Sequence, residues 1–367
     1  MSALKTLLAA TAALALTVTL TGCSTQLPDP KITPIDFRAC ILSDQNGFTD
    51  GGANEAAYNG VLEAKAVLGI QLSAIELSSR HSSEAITKNL EKLTRANCDL
   101  IVAAGDAVVT ALYESASSHP AQRYLLVDAQ LNNSDGSPRE LGNVRAVAFD
   151  NQTAGFLAGY LAASKTRSGT VGVLTGRITQ TTLEYVGGFK KGVQYFNLTQ
   201  TATVNVIGAE GDSGERWLKV GSFESLGKAQ RLATQLIDDG SDVIFAPAGR
   251  GSIGALRAAA AAERTADQQP VSVLNTENDS FIDPLYREVR GSLLASITRS
   301  TMRQVFESTR AALDGRFTGA AAGSYYGDLT NGGIGLSDEH ELSWPNQAAT
   351  RLDRLKAAIL QGEVETR

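Results

Sequence analysis

The chain is poor in the residues that most often carry catalytic chemistry. Only three histidines occur in 367 residues, His81, His119 and His340, and none pairs with a cysteine or carboxylate at metal-ligand spacing. A Gly-x-Ser-x-Gly elbow and a phosphate-cradling glycine loop are also missing. Nothing in the spacing asks for catalysis, so no enzyme, no metal and no cofactor are expected. Basic residues do not gather in a stripe and the net charge is −6, which argues against a nucleic-acid partner. Beyond the first twenty residues no apolar run approaches membrane-spanning length.

The N-terminus is where an apolar run does occur. Lys5 precedes a stretch from Leu7 to Leu20, and Leu20-Thr21-Gly22-Cys23 follows. Fourteen residues at helical rise reach only about 21 Å, short of a hydrocarbon core of about 30 Å. The segment therefore reads as a secretory signal, residues 1–22. Thr21-Gly22-Cys23 resembles a lipobox, which implies that Cys23 receives a diacylglyceryl thioether and anchors the mature chain to the outer face of the cell membrane. An ordinary signal cleaved near the same place is the plainer alternative. Residues 23–35 carry three prolines and read as a tether.

Two other cysteines remain, Cys40 and Cys98. Each sits at or just before an apolar run, Cys40-Ile41-Leu42 and Asp99-Leu100-Ile101-Val102. In a parallel sheet these would be neighbouring strands with the cysteines at the same end. An exported compartment permits a disulfide there, which is expected; two buried free thiols are the alternative.

From residue 36 short apolar runs alternate with helical periods. Candidate strands are 39–43, 72–76, 100–104, 124–128 and 144–149, and the same grammar restarts with 171–175, 205–207, 243–247 and 271–274. Ser82 is placed to cap a helix carrying Ile86, Leu90 and Leu93 on one face. Such alternation predicts right-handed crossovers and parallel α/β sheets. Residues 96–105 (ANCDLIVAAG) are similar to 239–249 (DGSDVIFAPAG), so two related lobes and a cleft between them are expected. The glycines Gly105 and Gly249 end the repeated strands, where ligands of open parallel sheets sit.

At the end of the first strand the chain reads SDQNGFTDGGANEAAYNG from Ser43 to Gly60. An aspartate at a strand end, a polar glycine loop and a helix N-terminus suit the binding of small polar molecules. The plain alternative makes Asp50 a helix cap.

Here the sequence resembles the basic membrane lipoprotein family. Asp44, Asp50, Asn54, Tyr58 and Gly60 fall in register with its opening motif. Three further stretches agree: FLAGYLA from Phe156, SDVIF from Ser241 and YGDLTNGGIGL from Tyr326. The resemblance covers residues 36 to about 360 and implies a lipid-anchored solute-binding protein of an ABC importer, usually nucleoside-specific. It implies a type I periplasmic-binding fold, in which two doubly wound parallel-sheet lobes are joined by a three-strand hinge. It also implies a permease and an ATPase as partners, with the receptor itself a monomer.

Position by position, the resemblance makes Asp44 and Asn54 the polar residues of the first loop and Asp128 the acid that engages a base. Phe223 becomes a ring that stacks on the base, and Gly249 a glycine whose backbone faces the ligand. Glu277 stands where the family has a ribose-binding aspartate, and Arg299 where it has lysine. Ala53 replaces a phenylalanine, leaving Phe48, Tyr58 or Tyr185 to supply the second ring. An aromatic face contributes about 1–3 kcal/mol per stacked base. Lobe 1 is expected over 36–149 plus 276–316 and lobe 2 over 150–275 plus 317–367, with switches at Asp150, Thr276 and after Arg316. A sensory or adhesin receptor on the same fold, or a binder of another small solute such as a sugar, is the competing reading.

Overall fold

The computed structural model describes residues 35–78, 81–133, 137–262 and 270–367. The expected signal, Cys23 and all but the last residue of the tether lie outside the described residues. In chain order the strands are β1 (Arg38–Leu42), β2 (Gln71–Ile75), β3 (Leu100–Ala104), β4 (Tyr124–Val127), β5 (Val144–Phe149), β6 (Thr170–Val173), β7 (Asn205–Ile207), β8 (Ala209–Glu210), β9 (Arg216–Trp217), β10 (Val243–Phe245), β11 (Ser272–Asn275), β12 (Leu293–Arg299), β13 (Tyr325–Gly327) and β14 (Ile334–Leu336). The helices are α1 (Ala53–Leu68), α2 (Ser83–Thr94), α3 (Val109–Ser118), α4 (Asn151–Lys165), α5 (Gln180–Gln200), α6 (Leu226–Asp238), α7 (Ser252–Ala261), α8 (Thr301–Leu313), α9 (Ala320–Gly323) and α10 (Ala348–Leu360).

Two six-stranded sheets result, in the orders β13-β5-β4-β3-β1-β2 and β14-β12-β11-β10-β6-β7. The first is parallel throughout; in the second only β14 runs antiparallel. Helices cover both faces, so central strands such as Leu100–Ala104 are buried along their whole length and read as continuous apolar runs. Helix α2 buries Ile86, Leu90 and Leu93, as their spacing predicts; Ser82 stands at its N-cap, although no side-chain capping bond forms. The repeated segments become β3 and β10, each followed by a 3₁₀ turn and a helix. This is the two-lobed periplasmic-binding architecture.

Cys40 and Cys98 are joined by a disulfide with their Cα atoms 5.8 Å apart. Pairing of β1 with β3 brings Cys40 opposite Ile101, within reach of the residue that leads into β3.

The chain passes between lobes three times. After β5 it enters α4, which packs under the second sheet; after β12 it enters α8, which packs on α1 of the first; and β13 of the first sheet leads into β14 of the second. The expected switches at Thr276 and Arg316 are corrected by this topology. Strand β12 pairs with β11 at Leu274↔Ala295, which keeps residues 276–299 in the second lobe. Strand β13 pairs with β5 at Tyr326↔Ala148, which keeps residues 317–327 in the first.

Helices α4 and α5 lie almost backbone to backbone. A Cβ added at Gly188 would come within 1.9 Å of the Gln152 carbonyl oxygen, and one at Gly159 within 2.0 Å of that of Phe189. Gly159 is the glycine of the FLAGYLA stretch, which thus has a packing reason.

Candidate functional site

The carboxyl ends of the strands face one another across the gap between sheets, where parallel α/β sheets place their ligands. The space there holds about 570 Å³ free of atoms, part of it open to solvent, and its walls come from both lobes.

The first lobe contributes acids. The β1–α1 loop folds on itself: the Asn46 N–H donates to Asp44 Oδ1 at 2.8 Å, and the Asn54 amide donates to Asp44 Oδ1 and Asp50 Oδ2, each at 2.9 Å. Asn54 also accepts from the Asp44 N–H at 2.9 Å, so its amide is spent on ordering two carboxylates. Asp50 both lines the cavity and caps α1, accepting from the Gly52 and Glu55 N–H groups at 2.8 and 3.1 Å. Asp106 follows Gly105 at the end of β3, and Asp128 follows β4. Burial pushes the Asp50 carboxyl up to about 7 and Asp106 up to about 6, and raises Asp44 as well.

The second lobe contributes rings, threonines and the cation. Arg299, at the end of β12, is enclosed by acids: its Nη1 donates to Asp128 and, at 3.1 Å, to Asn151 Oδ1, while Nη2 donates to Glu277. The outer oxygens of the two acids are also occupied. Thr181 donates to Asp128 at 3.2 Å and Thr301 to Glu277 at 2.8 Å. Burial opposes the charge on Arg299, yet Asp128 and Glu277 hold it protonated well above its ordinary value. Asp128 at φ 59° and Glu277 at φ 88° sit in left-handed backbone that side-chain-bearing residues seldom adopt. Such strain is concentrated at binding and catalytic sites.

Phe223 is half-buried at the cavity wall, against Gly176; a Cβ there would lie 2.2 Å from its ring. Tyr185 lines the cavity from α5, with its ring edge-on to Phe245 at 6.4 Å. Gly249 has φ 56° and approaches the Asp50 carbonyl so closely that a Cβ would come within 2.1 Å of it. Of the sequence-derived residues, Asp44, Asn54, Asp128, Tyr185, Phe223, Gly249, Glu277 and Arg299 meet around one cavity. Phe48 does not. It stacks on Tyr58 with ring centres 4.5 Å apart, packed in the first-lobe core, so neither is the missing second ring. Tyr185 is the second ring that reaches the wall.

Sequence reasoning passed over Asp106, Asn151 and Thr181. Asp106 directly follows a glycine already marked as a strand end, which was the available signal. The other two begin helices, where a polar residue reads equally well as an ordinary terminal one.

Contacts across the gap are polar. The Arg250 N–H donates to the Asp50 carbonyl at 3.1 Å, and its guanidinium meets Glu55 at 2.9 Å. The Gln180 N–H donates to Asp106 at 2.9 Å, and the Thr49 hydroxyl to Glu224 at 3.0 Å. Among the described residues no group of side chains could hold a metal ion, and no helix is long and apolar enough to cross a membrane.

Comparison with known proteins agrees with this fold. The family model described as ABC transporter substrate-binding protein PnrA-like matches residues 38–365. Basic membrane protein A of Borreliella burgdorferi is 30% identical over 212 residues, 58% of this chain and 56% of that protein, so the match spans little more than half of that relative. The ABC transporter nucleoside-binding protein BmpA of Lactococcus lactis is 22% identical over 335 residues, 90% of this chain and 88% of that one. A solute-binding protein of an ABC transporter system from Aeropyrum pernix K1 superposes with a TM-score of 0.74 at 22% identity, covering 90% of this chain and 92% of that one. Family and fold are those of substrate-binding proteins, and this chain belongs to the PnrA-like family of ABC transporter substrate-binding proteins.

Proposed function

We propose that this protein is a lipid-anchored extracytoplasmic receptor that closes its two lobes on a nucleoside, purine type favoured, and presents it to an ABC permease with its ATPase. The observation that carries the reading is that the Phe223 ring and Tyr185 line one cleft together with carboxylates at strand ends. A flat heteroaromatic base gains from the rings, at about 1–3 kcal/mol per stack, and ribose hydroxyls are donors to carboxylate oxygens. The name of the Lactococcus lactis relative, a nucleoside-binding protein, points the same way. Attachment through Cys23 rests on the Leu-Thr-Gly-Cys stretch at the end of the signal. Closure draws only on the ligand's differential affinity for the closed state.

The test is to release the small molecule from purified protein, identify it by mass spectrometry, and titrate nucleosides into the wild type and two variants by calorimetry. Phe223→Ala and Asp128→Ala are each expected to weaken binding at least tenfold, about 1.4 kcal/mol. Full affinity in both variants would move the site elsewhere.

A further inference from the structure

The cavity wall holds two donors that the protein leaves unanswered. The Tyr185 hydroxyl and the Arg299 Nε are buried without a hydrogen-bond partner among the described residues. Both residues line the cavity, and the guanidinium carbon lies 5.8 Å from the centre of the Tyr185 ring. The terminal nitrogens of Arg299 bind Asp128, Asn151 and Glu277, whereas its Nε meets no acceptor among the described residues. Tyr185 is 3% exposed, and its backbone is wedged against Gly155, where a Cβ would lie 2.2 Å from the Tyr185 carbonyl oxygen. The ring is therefore held by packing, and phenylalanine would fill the same space. An unpaired buried hydroxyl is a cost to the folded state, and native proteins carry few of them. Thr175, Arg177, Ser272 and Asn275 also carry such groups but lie off this wall; only Tyr185 and Arg299 are placed where a ligand could answer them.

The sign of the local charge narrows that partner. Asp128 and Glu277 together outweigh Arg299 by one negative charge, and no other guanidinium or ammonium among the described residues lines the space. A phosphate or carboxylate placed here would meet this excess of acids in a poorly screened site. We propose that Tyr185 Oη and Arg299 Nε recognise an uncharged hydrogen-bond acceptor on the ligand, a hydroxyl, carbonyl or ring nitrogen. The acids around them, not these two donors, then act against a phosphorylated form of the same ligand. The assignment to nucleosides rests on the function proposed above; the acceptor itself does not.

The Tyr185→Phe variant tests it in two ways. In the ligand-free protein the melting temperature is expected to equal or exceed that of the wild type, because no protein hydrogen bond is lost. A drop of several degrees would mean that the hydroxyl already has a partner, and would overturn the inference. In calorimetry, inosine, guanosine, adenosine, cytidine and uridine are titrated into both proteins. The tightest binder is expected to lose at least tenfold in affinity in the variant, and its 5′-monophosphate to bind the wild type at least a hundredfold more weakly. Unchanged affinity in Tyr185→Phe, or a monophosphate that binds like its nucleoside, would refute the assignment. If none of the five binds the wild type, the nucleoside reading fails alone. The compound eluted from purified protein then replaces them in the same comparison, and the melting test stands regardless.

Discussion

The two lobes share a strand grammar and differ in what they bring to the space between them. The first supplies carboxylates at the ends of β1, β3 and β4, namely Asp44, Asp106 and Asp128. The second supplies Phe223, Tyr185 and the one guanidinium on the wall, Arg299. The repeated strands show the same divergence: β3 delivers Gly105-Asp106, while β10 delivers Pro247 and Gly249. The shared strand grammar thus fixes where chemistry can be placed, and the residues just past each strand end decide which chemistry it is. The lobes are complementary because they are unlike, and the Arg299–Asp128 pair crosses from one to the other.

The severest break of that complementarity is Arg299→Met. It leaves two buried acids without their cation and is expected to cost about 3–5 kcal/mol of unfolding free energy, measured by urea denaturation. Adding Asp128→Asn and Glu277→Gln should restore most of the loss, since a neutral set carries no unpaired charge. If the single variant is as stable as the wild type, the triad does not join the lobes.

The disulfide offers a cut confined to one side. Cys40–Cys98 spans 58 residues of the first lobe. The double Cys40→Ser, Cys98→Ser variant is expected to lose about 2–4 kcal/mol. Hydrogen exchange should show that the loss concentrates in β1 to β4. An even loosening of both sheets would contradict this.

Acidity sharpens the contrast further. Burial raises Asp50 from its ordinary 3.8 to about 7, so the native state holds this proton more tightly than the unfolded chain does. Its contribution to stability is full below pH 3.8 and is lost as pH climbs through about 7. Asp106, raised to about 6, slopes the same way. Asp50→Asn should therefore flatten the decline in stability across that range, read from denaturation midpoints at several pH values. An unchanged slope would place the proton elsewhere.

The smallest effect is expected from Glu55→Gln. Its pair with Arg250 bridges the lobes but is about a quarter exposed on each side, so screening limits its worth to about 1 kcal/mol or less. Ligand affinity should fall less than about fivefold. A larger loss would show that this rim pair governs closure.

Much of this was legible before any coordinates. The runs Leu100–Ala104 and Val243–Phe245 announce buried parallel strands, and Asp44 and Asp128 stand at strand ends where the fold needs them. Lobe membership was less legible. Residues 293–299 were not read as a strand, and which sheet they join depends on a partner about twenty residues back, not on their own pattern. Three-residue strands such as Tyr325–Gly327 are too short to show a period. Phe48 misled because a ring in a polar loop looks available, whereas here it turns inward onto Tyr58. Arg299 stands where the resemblance puts a site residue; in the fold its fork is held by Asp128 and Glu277, and only sequence-distant neighbours reveal it.

The close seating of α4 on α5 has a mechanical meaning. Helix α4 is capped by Asp150, where the chain first leaves the first lobe, and the first turns of α5 carry Thr181 and Tyr185 to the wall. Glycines meet carbonyl groups between them, and further along Phe156 and Tyr160 of α4 pack on Tyr195 and Phe196 of α5, so the pair is seated as one close-packed unit. Seated this way, a rotation at the crossover would carry the residues of the wall with it, jaw and joint as one part.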